Sequence, residues 1–449
     1  MKRILFFALI CAMTALGACR TSNEKLSDGA VLVNGVPWYD IDGNVVNSHG
    51  SCIVKDGGRY WMFGEYKSDT TNAFSGFVCY SSSNLIDWRF ERVVLPVQPD
   101  GLMGPNRVGE RVKVMHCKRT RKYVMFMHSD DMGYMDPHTC VAIADSINGV
   151  YDFIGPLTYH GEPIHKWDIG TFQDQDGTGY LLAHHGPIYR LADDYLTADT
   201  LYLDPELAHS GESPALFRHR DTYYIMYSNL TSWERNDNFY FTSKNIAGPW
   251  KRQGLFCPEG TMTYNSQCTF VYPIINGNDT TFIYMGDRWS YPHQATSATQ
   301  VWLPLTVEGE SLSIPEFWEA WKPAALKPVD MARTTEKVGG LWKSNEAGKQ
   351  YLIPFKGRQA LIYGHSDKHG GYARITITNS NGKEYLSTLV DFYSLEPHDG
   401  LLYVSPNLPE DHYTLTITVN GDHTEFYNKK GNRFGSDDYW VIVTEIRRK

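Results

Sequence analysis

The chain has 449 residues and a formal net charge of −9, and an acidic surface argues against nucleic acid or anionic lipid as partners. Aromatic residues make up 14% of it, with 12 Trp and 29 Tyr, a supply that suits β-sheet cores and flat platforms for sugar rings alike. Composition alone does not choose between those two uses.

In chain order, Met1-Lys2-Arg3, an apolar run from Ile4 to Leu16 and then Gly17-Ala18-Cys19 give the charged start, short apolar core and small-residue end of a secretory signal over residues 1–18. The run is too short for a membrane span. Leu16-Gly17-Ala18-Cys19 resembles the lipobox of bacterial lipoproteins, which makes Cys19 the lipidated first residue of an exported outer-membrane lipoprotein, periplasmic or at the cell surface. Membrane contact is then expected only through the lipid. Residues 19–34 are mostly polar and without period, and read as a tether.

From 35 to 305 one phrase recurs: a short apolar strand, a turn, then a second strand crowded with aromatics. The copies lie at 51–65, 112–128, 169–184, 213–228 and 268–286. A hairpin repeat of roughly 40–60 residues reads as a β-propeller, here with five blades. His49, Glu65, Glu110, Asp168, Glu212 and Gln267 head or end the copies. The first strand of every blade lines the central channel, so these polar residues are expected to converge on one pocket. Between copies, the phrases at 83–88, 146–151 and 243–250 set a tight turn before an aromatic, expected to pack on the next blade.

Residues 306–339 carry Trp318, Trp321, Pro315 and Pro323 and read as a connecting segment pinned along the propeller. From 340 to 449, short period-2 strands separated by Gly, Asn and Asp turns indicate a β-sandwich. The expected fold is thus all-β, a five-bladed β-propeller followed by a C-terminal β-sandwich, as a monomer. Beyond Cys19 stand Cys52, Cys79, Cys117, Cys140, Cys257 and Cys268, with no Cys-x-x-Cys. Several lie in apolar strands, so mostly free buried thiols are expected, with room for one bridge.

Cleaving a glycosidic bond needs an acid to protonate the leaving oxygen and, for inversion, a base acting on water from the opposite side. Glu212 stands directly before the apolar strand Ser213-Pro214-Ala215-Leu216-Phe217, where partial burial would keep it protonated for the acid role. A lone Glu before a strand is ordinarily a solvated loop residue, and its place in the repeat register is what sets this one apart. Asp168, in Trp167-Asp168-Ile169-Gly170, holds the same register one copy earlier and can tune it; its plainer reading is a turn residue capping backbone amides.

With these phrases the chain resembles the family 43 glycoside hydrolases over about residues 47–305. That family consists of five-bladed propellers that invert anomeric configuration. The resemblance implies that Glu212 is the general acid and Asp168 the residue that tunes it. The family's usual base, an Asp heading the first blade, is missing from Asn47-Ser48-His49-Gly50-Ser51. One branch, similar to exo-β-1,3-galactanases, shares that absence, and its other marks are here: Phe63-Gly64-Glu65, Glu110-Arg111-Val112-Lys113, Asn229-Leu230-Thr231-Ser232-Trp233, Tyr264-Asn265-Ser266-Gln267 and Met285-Gly286-Asp287-Arg288-Trp289.

Carried over from that branch, Gln267 takes the base's position. An amide is a very weak base, so it either acts as its imidic tautomer or orients the water; the plainer reading is a hydrogen bond to the sugar. Glu65, Glu110 and Arg111 resemble the branch's sugar-binding residues. Tyr134, Thr231 and Trp233 would complete the pocket with an aromatic wall, and His49 would support its floor. For each of these, packing in the channel is the alternative.

The implied activity is exo-acting, inverting release of galactose from the β-1,3-linked galactan backbone of arabinogalactan, a polysaccharide or oligosaccharide substrate. The rivals are an arabinofuranosidase or xylosidase of the same family, which the missing first-blade Asp disfavours, and a carbohydrate-binding propeller without catalysis, which Glu212 and Asp168 disfavour. No organic cofactor and no metal site is expected. Asp174-Gln175-Asp176-Gly177 reads as a hairpin turn rather than a calcium loop, and His184-His185 has no partner spacing.

Overall fold

The computed structural model describes residues 29–276, 279–428 and 430–449. The expected leader, Cys19 and the tether through residue 28 lie outside the described residues. Among those described the chain is all-β, with helix confined to 3-10 turns and the four residues Met262–Asn265.

Five sheets follow one another, antiparallel throughout except where Thr158–Tyr159 runs parallel to Thr197–Tyr202 in the third. The first comprises His49–Asp56, Arg59–Glu65, Phe77–Ser82 and Arg89–Leu95; the second Arg107–Cys117, Lys122–Asp131, His138–Ala144 and Asp152–Pro156. The third comprises Ile169–Gln173, Gly179–Ala183, Ile188–Leu191 and Thr197–Tyr202, extended at its outer edge by Thr158–Tyr159 and Glu162–Pro163. The fourth comprises Glu212–His219, Thr222–Ser228, Phe239–Ser243 and Lys251–Leu255; the fifth Gln267–Asn276, Asp279–Arg288, Thr299–Glu308 and Ser311–Ser313. Each repeated phrase is therefore the inner hairpin of one sheet. The fifth sheet runs past Leu305, so the segment expected to connect from 306 gives its first residues to that sheet.

The first strands of successive sheets lie side by side, and that of the fifth lies against that of the first. Apolar clusters fill the gaps in the same cyclic order. Phe63 and Phe77 meet Val112 and Met125, and the last cluster joins Ile283 and Trp302 to Met62 and Trp88. The aromatics of the closing phrases belong to these clusters but pack on the preceding sheet rather than the next. Tyr151 lies 6.1 Å from Phe63 and Trp88 lies 6.2 Å from Trp302. The turn between third and fourth strands faces backwards, as Tyr151 N–H donating to Val94 O shows. All six described cysteines are buried and free.

A short strand before the first sheet pairs with one that follows the fifth. Leu32 and Val33, at the end of the expected tether, pair with Trp321 and Ala320. From Glu336 onward two further sheets enclose one core, with Ile353, Ile375, Leu415 and Ile417 from one and Ile362, Tyr403, Val441 and Val443 from the other. In Gln350–Gly357 the inward Ile353, Phe355 and Gly357 alternate with exposed neighbours, the period-2 pattern of a strand with one buried face.

One local feature positions the site. The ladder between first and second strands slips after His49, Glu110 and Glu212. The residue that follows each head is left-handed: φ is 58° at Gly50, 56° at Arg111 and 57° at Ser213. Such a bulge bends the strand and re-aims its side chains, and here it recurs at one end of three inner strands.

Candidate active site

Arg111 is the hub. Its backbone N–H donates to Glu65 Oε1 at 2.7 Å, and its guanidinium Nη2 reaches Gln267 Oε1 at 2.6 Å and Asp168 Oδ2 at 3.0 Å. Nη1 faces Asp287 Oδ2 at 3.9 Å, and the guanidinium lies 5.5 Å from the Trp289 ring. The left-handed bulge is what carries this side chain across from the second sheet to the third and fifth.

Gln267 is bonded at every polar position. Its Oε1 accepts from Arg111 and from Trp289 Nε1 at 2.9 Å, while Nε2 donates to Glu212 Oε1 at 3.0 Å and Ser228 Oγ at 2.7 Å. Ser213 Oγ donates to Asp168 Oδ2 at 2.8 Å, tying the residue beside Glu212 to the carboxylate one sheet earlier. Loss of solvent and the charge of Asp168 push the Glu212 carboxyl well above the ordinary range, against the opposing pull of Arg111. A carboxyl so placed holds its proton more firmly than an ordinary Glu does.

A second cluster adjoins the first. Lys67 Nζ pairs with Glu65 Oε2 at 2.8 Å and Glu110 Oε1 at 3.3 Å, and Glu110 also accepts from Tyr134 O–H at 2.8 Å and Asn72 Nδ2 at 3.3 Å. Burial opposes the charge on Glu110, but Lys67 and His128 prevail and hold its carboxyl below the usual range. Ligand atoms of Glu110, His128 and Asp168 lie within 4.8 Å of one another, a spacing a metal ion could use. Burial lowers the His128 pKa, yet bonds to Asp130 and Glu110 push it up to about 9. A metal ion bound there would displace that proton, because only a neutral imidazole ligates a metal.

The expected site residues fall into three groups. Glu65, Glu110, Arg111, Tyr134, Asp168, Glu212 and Gln267 share this bonded network. Trp233 lies beside that network: its ring stacks on Tyr291 at 5.9 Å, meets Trp289 edge-on at 5.2 Å and lies 5.5 Å from Lys67 Nζ. Thr231 spends its hydroxyl inside its own loop, donating to Glu234 O and accepting from Asn236 Nδ2. His49 is buried 6.0 Å from Trp289, and burial with the charge of Lys67 brings its pKa down to about 3. It is a neutral, buried neighbour of the network. Away from the site, the carboxylate of Asp174 is taken by Arg218 and Tyr223, and Gly177 N–H closes the turn onto Asp174 O.

Lys67, Asp287, Trp289, His128, Ser213 and Ser228 complete the network and were not singled out from sequence. Asp287 and Trp289 stood inside a quoted phrase, and Lys67 lies two residues past Glu65. For His128, Ser228 and Asp287, a place on the second strand opposite the head of the same hairpin was the available signal.

The model of the glycosyl hydrolases family 43 matches residues 45–254. A protein of known structure from Bifidobacterium bifidum s17, assigned as an exo-β-1,3-galactanase, is 36% identical over 63% of this chain and 95% of its own, with a TM-score of 0.58. A family 43 β-1,3-galactosidase solved with galactodeoxynojirimycin is 26% identical over 64% of this chain and 99% of its own, with a TM-score of 0.58. The exo-β-1,3-galactanase of Phanerochaete chrysosporium, solved with galactose, shares the fold over 93% of this chain and 100% of its own, at 23% identity and a TM-score of 0.65. No curated protein sequence gives a match. With a relative above 30% identity spanned almost end to end, the chain belongs to the family 43 glycosyl hydrolases and is a glycoside hydrolase.

Proposed function

We propose that this enzyme is an exo-acting, inverting galactan 1,3-β-galactosidase. In this reading the five cyclically packed sheets are the blades of a closed propeller, and the two C-terminal sheets form a sandwich beside it. The observation that carries the reading is the place of Glu212: at the end of the inner strands where the other heads converge, bonded to Gln267 Nε2, with its carboxyl raised above the ordinary range by burial and by Asp168.

Glu212 protonates the glycosidic oxygen as the bond from the anomeric carbon breaks, and water adds from the opposite face. Asp168, fixed by Arg111 and Ser213, sets the acid's proton affinity. Glu65, Glu110 and Lys67 offer charged partners to sugar hydroxyls, and Trp233 offers a ring face. The choice of galactose, the β-1,3 linkage and the exo action draw their support from the relatives at 36% and 26% identity. Digestion of β-1,3-galactan tests the proposal: native protein should release galactose, and Glu212→Gln should not. Binding of the polymer without release by native protein would favour a carbohydrate-binding role; cleavage only of aryl arabinofuranosides or xylosides would move the specificity elsewhere in the family.

A further inference from the structure

Lys113 carries a buried charge that the chemistry above does not use. It stands two residues past Arg111 on the inner strand Arg107–Cys117, shielded from solvent. Among the described residues no carboxylate bonds to it. Its Nζ donates instead to Gly50 O at 2.7 Å, Val112 O at 3.3 Å and Thr269 Oγ1 at 3.4 Å. An ammonium has three N–H donors and no acceptor, so three oxygens use it fully. Gly50 and Thr269 belong to the neighbouring inner strands His49–Asp56 and Gln267–Asn276, and one side chain thereby ties three sheets together. Burying a charge without an ion-pair partner is costly. Burial, with the charge of Arg111, brings the Lys113 pKa down to about 8, which leaves the proton in place at neutrality.

This clamp bears on the hub through Gly50. The left-handed Gly50 has its C=O on Lys113 and its N–H on Asp287 Oδ1 at 3.1 Å, and Asp287 Oδ2 faces Arg111 Nη1. Arg111 in turn bonds to Asp168, the carboxylate whose charge raises Glu212. Resting on the galactosidase reading above, we propose that Lys113 is a positioning residue for catalysis: its ammonium fixes the Gly50 bulge, the bulge seats Asp287, and Asp287 seats Arg111 beside Asp168. Lys113 itself touches no substrate and passes no proton. The charges facing Asp287 are Arg111 and Lys113 from the second sheet and Glu65 from the first. Burial pushes the Asp287 carboxyl up to about 6 against the pull of Arg111; Glu65 adds to the rise, while Gly50 N–H and Lys113 oppose it. Without the Lys113 charge, Asp287 takes up a proton at higher pH and its hold on Arg111 weakens.

A pH profile and a double-variant comparison separate this role from packing. Native protein, Lys113→Met, Asp287→Asn and the double variant are assayed on β-1,3-galactan across pH, each with its melting curve so that rates refer to folded protein. Lys113→Gln, which keeps an amide donor and drops the charge, is the second neutral variant. Lys113→Met should lower kcat/KM by about 10- to 10²-fold, the scale of a misplaced catalytic group. Its acidic limb should move to higher pH, because activity needs ionised Asp287 and is lost as pH falls through a pKa that the variant has raised. Lys113→Gln should move the limb the same way. Since Lys113 acts through Asp287, the double variant should be no slower than Asp287→Asn alone. A native acidic limb in both neutral variants, or losses that multiply in the double variant, would make Lys113 a packing residue and overturn the proposal. If native protein leaves galactan intact but cleaves an aryl arabinofuranoside or xyloside, the galactosidase reading falls, and the same comparison on that substrate decides for or against Lys113. Turnover of no glycoside would overturn both.

Discussion

Glu212 draws its chemistry from neighbours far away in sequence. Asp168 and the loss of solvent raise its proton affinity, while Arg111 and Gln267 pull it down, so the native value is a balance that pH can read. Activity requires the protonated acid and should fall as pH rises through the raised pKa. The basic limb of kcat/KM should therefore lie above the usual Glu range, and Glu212→Gln should lower kcat/KM on galactan by about 10²–10⁴-fold with an unchanged melting temperature. A basic limb near the ordinary Glu value would show that burial does not set the acid. Glu212, Asp168 and Gln267 were legible in the sequence because each heads a copy of the repeat. Lys67, Asp287 and Trp289 were not, because what makes them part of the site is a partner on another sheet: Glu110 for Lys67 and Arg111 for both Asp287 and Trp289.

The hairpins were readable element by element, since apolar runs flank turns such as Asp56-Gly57-Gly58. The bulges at their heads were hidden, because Arg111 and Ser213 occupy left-handed positions without being glycine. Only Gly50 shows the expected residue type there, and its reason is steric as well. A Cβ on Gly50 would lie 2.1 Å from Glu65 Oε1, the atom that accepts from Arg111 N–H. Gly57 has a similar φ of 56° with open space around it. Gly57→Ala should thus cost only the left-handed strain, about 1–2 kcal/mol, with activity kept. Gly50→Ala should cost more in a urea melt and lower kcat/KM as well, by displacing Glu65 and with it Arg111. Equal stability losses in the two variants, both fully active, would remove the bulge from the account of the site.

At the scale of the molecule, the C-terminal sheets bond to the loops that wall the site. Tyr393 O–H donates to Glu234 Oε2, Tyr372 O–H donates to Ser290 O at 3.2 Å, and His293 pairs with Asp422 at 2.8 Å. Glu234 is buried and lies next to Trp233 in the loop where Thr231 spends its hydroxyl. Tyr393→Phe removes one donor from that buried carboxylate, so a loss of about 1–3 kcal/mol in stability is expected, with KM for galactan raised more than kcat is lowered. Unchanged KM would mean that the C-terminal sheets only brace the fold. The period-2 strands showed in the sequence that such sheets exist. Their seam did not show, because it is made by single polar residues with no periodic signature.

The most direct test of the whole account is proton NMR of the first galactose released from β-1,3-galactan by native protein. Inversion with Glu212 as the acid predicts the α-anomer at early times, with the β-anomer appearing only by mutarotation. Initial release of β-galactose would contradict it.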